Sequence, residues 1–149
     1  MLGASWYSSP LMAERSNRGP FLTAVAVSFG LLAVSNATKA FQHLSNPQTM
    51  GIVIFGTRFE SVAANALLGP LMGAVLAAYA YGLWTLRGWA IPLSIAYAFY
   101  VPTNLVLFWY AQTNPAIPSL GFILVHLVFA LGGSIGTALY LAYHRDTLG

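Results

Sequence analysis

Four stretches of mostly apolar residues, each long enough to cross a bilayer as a helix, take up most of this chain. A spanning helix needs roughly 20 such residues, because the hydrocarbon core offers no water to satisfy a free peptide group. The stretches are residues 20–41, 61–86, 89–111 and 119–143. Composition supports the same reading. Charged residues make up 6% of the chain, against about 25% in a soluble domain. Covering a water-exposed surface with so few charges would leave large sticky patches. A surface facing lipid needs no such cover.

The expected fold is therefore an all-α integral membrane protein. It is a four-transmembrane-helix bundle with one longer extracytoplasmic loop between helices 1 and 2. Residues 1–19 read as a polar N-terminal segment and 20–149 as a single four-helix transmembrane domain. The leading residues lack the basic-then-apolar order of a signal peptide. The first long apolar run, starting at Phe21, reads as an uncleaved helix.

The connections differ in kind. Between spans 2 and 3 there is only Arg87-Gly88, a tight helical hairpin. Between spans 3 and 4 lies QTNPAIP, uncharged and rich in turn formers. The loop from His43 to Glu60 contains MGIVIFGTRF, apolar and β-branched but too short to span. It is expected to lie at the interface or fold back on the bundle, with a short strand as the less favoured form.

Basic residues set the orientation. Arg15, Arg18, Arg87 and Arg145 fall on one side, and Lys39 and Arg58 on the other. This places both termini in the cytoplasm, in a multi-pass protein of a bacterial inner membrane. Trp84 and Trp89 bracket one boundary, and Trp109 and Tyr110 the other, as aromatic belts do.

Small residues let membrane helices approach closely. Gly69 and Gly73 in span 2, and Gly132 and Gly136 in span 4, share a GxxxG spacing within a longer LGxxxGxxL pattern. The expectation is tight helix packing at all four. A homo-oligomer face is the sharper reading, and a duplicated two-helix unit is less favoured than chance similarity. Pro70, Pro92 and Pro102 lie within spans and are expected to shape them.

Polar groups inside a bilayer are costly and turn toward a partner or a cavity. Here Lys39, Glu60, Asn65, Tyr100, Asn104 and His126 fall at one depth, toward the extracytoplasmic end, and come from all four helices. Asn65 shares a stripe with Gly69 and Gly73, and Asn104 shares one with Tyr97 and Tyr100. These six residues are expected to line an inward, outer-leaflet pocket, with the segment from Met50 to Phe59 as its lid. Interhelical hydrogen bonding as plain structural glue, at about 1 kcal/mol or less per bond, is the competing account.

Other chemistry finds little support. The chain has no cysteine and three acidic residues, so thiol chemistry is excluded and paired-carboxylate catalysis has no partners. The histidines, His43, His126 and His144, lack metal-site spacing. No metal or cofactor is expected, and no catalytic residue is assigned. Thinly spread basic residues argue against nucleic acid. The expected function is a non-catalytic membrane module: an accessory subunit of a membrane complex, or a binder of a small hydrophobic ligand or lipid. Its partners would be the bilayer and a membrane protein or a second copy of itself. A small intramembrane enzyme or transporter using Glu60, Asn104 and His126 is the alternative.

Overall fold

The computed structural model of the protein describes residues 19–47, 49, 51–111 and 120–145; within 120–130 only Leu124 has a described side chain. The N-terminal segment, the QTNPAIP connection and Met50 therefore lie outside the described residues. The chain is mostly helical. Its elements are α1 (Pro20–Ala37), α2 (Lys39–Ser45), β1 (Ile52–Ile54), β2 (Thr57–Phe59), α3 (Val62–Trp84), α4 (Ala90–Ala111) and α5 (Leu120–Tyr143). Among them α1, α3 and α4 are long and apolar enough to cross a membrane.

Local chemistry sets the helix ends. Pro20 opens α1, where its missing N–H costs nothing. Ser61 caps α3 by accepting the Ala64 N–H at 3.1 Å. At the far end of α3 the Arg87 N–H reaches back to the Gly82 carbonyl and the Leu86 N–H to that of Leu83. Leu86 takes a left-handed φ of 53°. This is a Schellman stop, and α4 starts four residues later. Pro92 falls in the first turn of α4, where a backbone N–H would have no helical acceptor and its absence costs nothing. Unlike Pro70 and Pro102, which lie inside their helices, Pro92 removes no backbone bond.

Two features depart from the sequence reading. The first apolar run breaks at Thr38, so that its last part becomes the separate helix α2. The Gln42 side chain bridges the break, donating to the Ser35 carbonyl at 3.0 Å and to the Thr38 hydroxyl at 2.9 Å. The second departure corrects the helices-only expectation. The loop between α2 and α3 holds an antiparallel hairpin, with Ile52 opposite Phe59 and Ile54 opposite Thr57. Its two-residue turn, Phe55-Gly56, has φ values of 45° and 78°. Two positive φ values mark the primed turn whose twist matches paired strands.

The helices associate mainly as two pairs, α1 with α3 and α4 with α5. Leu22, Ala26, Phe29 and Ala33 form the buried stripe of α1. It lies against Gly69, Gly73, Leu76, Tyr79 and Leu83 of α3. At Gly69 a Cβ would sit 2.6 Å from the Asn36 carbonyl oxygen, and at Gly73 it would sit 2.8 Å from that of Ala33. Only the absence of a side chain allows the two backbones to come this close. The pairs join at the Trp84–Trp89 end. There Leu22, Leu83, Ala90 and Leu141 share one core, and the Phe21 and Tyr140 rings meet tilted at 5.6 Å.

Candidate functional site

The hairpin backbone engages three of the six expected polar residues, Asn65, Tyr100 and Asn104. Asn65 lies in the first turn of α3 and is fully buried. Its carboxamide spans the open end of the hairpin. Oδ1 accepts the Ile52 N–H at 3.0 Å, while Nδ2 donates to the Phe59 carbonyl at 2.8 Å and the Ser61 carbonyl at 2.9 Å. One side chain thereby satisfies both strands and the entry to α3. The Ile52 N–H and the Phe59 carbonyl take these bonds from it, and a buried peptide group left unpaired costs about 1–3 kcal/mol.

The tip of the hairpin rests on α4. Asn104 Oδ1 accepts the Gly56 N–H at 3.0 Å. The Asn104 amide and the Tyr100 hydroxyl both donate to the Val53 carbonyl, at 3.4 and 3.3 Å. A Cβ on Gly56 would lie 2.6 Å from the Leu107 carbonyl carbon. The turn therefore needs glycine twice over, for its positive φ and for its closeness to α4.

Aromatic rings continue inward from this contact. Phe55 packs edge-on to Tyr100 at 5.5 Å, and Tyr100 lies 6.1 Å from Tyr97. Tyr97 meets Phe29 at 5.0 Å and Tyr79 at 5.8 Å, and Phe29 meets Tyr79 at 4.7 Å. Rings from α1, α3, α4 and the hairpin thus fill the seam between the two helix pairs. Such edge-to-face contacts contribute beyond the area they bury.

The other predicted members stand differently. Glu60 follows β2, and its side chain is 64% exposed. It pairs with Arg58 at 3.1 Å without the alignment of a hydrogen bond. An exposed pair of this kind stabilises little. Lys39 opens α2 and is half-buried. His126 belongs to α5, but its side chain lies outside the described residues. No cluster of three or more potential metal ligands occurs among the described residues.

The packing glycines also divide. Gly69 and Gly73 are buried against α1 as described above. A Cβ on Gly132 meets nothing within 4 Å among the described residues, and one on Gly136 meets Phe21 at an ordinary 3.7 Å. The inward face of α5 is instead Ser134, Thr137, Ala138 and Leu141, all buried. On another face of α4, Ile95, Phe99 and Pro102 line an apolar groove of about 340 Å³ with Ile135 and Leu139 of α5.

Sequence reasoning singled out Tyr100 and Asn104 and missed what they bind, the Val53 carbonyl and the Gly56 N–H. The available signal was the run Ile52-Val53-Ile54, a two-residue step ending in glycine, and Thr57-Arg58-Phe59. No protein-family model, curated protein or solved structure matches the chain.

Proposed function

We propose that the protein is a four-span, non-catalytic membrane module with both termini in the cytoplasm, serving as an accessory subunit of a membrane complex. One observation carries this reading. Asn65, Tyr100 and Asn104, costly groups to place in a bilayer, are hydrogen-bonded to the chain's own hairpin. A polar set engaged in this way builds a scaffold and presents a shaped extracytoplasmic end. In the same reading α5 is the fourth span, and the bias of Arg15, Arg18, Arg87 and Arg145 against Lys39 and Arg58 sets the orientation. Binding of a small hydrophobic ligand or lipid is the companion reading, favoured by the ring-lined seam beneath the hairpin.

The deciding experiment is purification from the native membrane in mild detergent, followed by mass analysis of everything that comes with the chain. A membrane protein in fixed ratio is the expected result. A lipid or other small molecule in fixed ratio would replace the accessory role by ligand binding. The chain alone, with neither, would overturn both. Reporter fusions at each end test the topology, and activity of either on the extracytoplasmic side would overturn the orientation.

A further inference from the structure

We propose that the hairpin tip is a releasable latch across the seam between the two helix pairs, and that its release opens the seam at the hairpin end while the opposite end stays closed. The two ends of the hairpin are fastened unequally. The base is held by fully buried Asn65 through three bonds of 2.8–3.0 Å, all reaching from the helix that follows it. The tip is held to α4 by Asn104 and Tyr100, which are only half-buried, and two of its three bonds are 3.3 Å or longer. All are neutral. The primed turn at Phe55-Gly56 is formed within the hairpin itself, so the hairpin keeps its shape when the tip lets go.

The helices supply the fulcrum. At the Trp84–Trp89 end the pairs share a dry core of Leu22, Leu83, Ala90 and Leu141. There a Cβ on Gly82 would meet the Trp89 ring at 2.7 Å, so Trp89 packs closely on α3 at that corner. Toward the hairpin, the link between pairs among the described residues runs through the Phe29, Tyr97 and Tyr100 rings and then the tip. Ring contacts can part without leaving a buried peptide group unpaired. Among the described residues the tip bonds are therefore the directional element across the seam at this end. The latch follows from the fold alone and does not depend on which partner the protein serves.

The chain has no cysteine, so introduced pairs carry spin labels without background. Leu67 on α3 and Val106 on α4 are 73% and 65% exposed near the hairpin end. Labels at L67C/V106C in lipid nanodiscs report the seam there. Labels at Y81C/Y143C report the opposite end. Adding Asn104→Ala should create a longer Leu67–Val106 population that the parent lacks, with the control pair unchanged. In parallel, deuterium exchange of the tip amides around Gly56 should rise about fivefold, the equivalent of one net neutral hydrogen bond. Tyr100→Phe keeps the ring and loses one bond, and should give the same changes in smaller measure. It serves as the reading if Asn104→Ala does not fold. Faster exchange with an unchanged Leu67–Val106 distance would overturn the latch, leaving the tip as a passive cover. An equal change at both label pairs would also overturn it, as general loosening. Unchanged exchange in both variants would show that these bonds do not hold the tip.

Discussion

The same five-residue glycine pattern occurs on α3 and on α5, and the two copies do different things. On α3 both glycines press against α1, with the Asn36 and Ala33 carbonyls where a side chain would otherwise stand. On α5, Gly132 is exposed, and the helix turns Ser134, Thr137 and Leu141 inward instead. The asparagines divide along the same line. Asn65, beside the α3 glycines, is fully buried and makes three short bonds; Asn104, on α4, is half-buried and makes one good bond and one long one. The α1–α3 pair is a close-packed base, and among the described residues α4 meets it at the hairpin end through rings and the hairpin tip. A motif thus acquires its role from what lies opposite, here a backbone in one case and, in the other, a single ring at ordinary distance from Gly136 and no described atom at Gly132. Duplication as the origin of the shared letters gains nothing from this division of roles.

The contrast is tested most severely at the α1–α3 contact. Gly69→Leu or Gly73→Leu must separate two backbones or force α1 aside, at a cost of about 3 kcal/mol or more. Denaturation in mixed detergent should show the midpoint collapse for both. A parent-like midpoint would mean that α1 and α3 do not pack through this face. Asn65→Ala comes next. It removes three bonds and leaves the Ile52 N–H and Phe59 carbonyl buried without partners, for an expected loss of about 2–3 kcal/mol. Exchange of the Ile52 amide, measured alongside, should accelerate strongly. A loss below that of Asn104→Ala would reverse the order of the two hairpin ends.

Much of this arrangement was legible in the sequence. Span length alone located the helices, because nothing but a helix closes its own peptide bonds over 20 apolar residues; α3, α4 and α5 begin and end within two residues of the apolar runs. The inward turn of Asn65 followed from its stripe with Gly69 and Gly73. Three things were not legible. The break at Thr38 has no glycine or proline to announce it, and is spanned by side-chain bonds from Gln42 to Ser35 and Thr38. The hairpin turn uses phenylalanine at its first positive-φ position, where asparagine or aspartate gives the usual signal. The partner of Asn104 is main chain 48 residues away, and a composition-based search for polar side chains cannot see a backbone group.

At the tip the expected effect is smaller. Asn104→Ala removes one good and one long bond at a half-buried site where water or headgroups can replace them. The stability should fall by about 1 kcal/mol, because the helix core is untouched. A fall as large as that of Gly73→Leu would mean that the tip, and not the glycine contact, organises the bundle.

The smallest effect is expected at Gly132→Leu. No described atom lies within 4 Å of a Cβ there, and the position is exposed on a helix whose buried stripe is elsewhere. Lipid accommodates a leucine on such a face as readily as a glycine. Glycine also weakens a helix relative to leucine, so any change should stay within about 0.5 kcal/mol and can be favourable. The comparison with Gly73→Leu, made in the same detergent, isolates context, since the letters and the substitution are identical. A loss at Gly132 that matches Gly73 would place a close neighbour on that face after all. Repeating the measurement across a range of protein-to-detergent ratios would say whose neighbour it is. A cost that vanishes on dilution belongs to a second copy packed on α5, and a cost that persists belongs to the same chain.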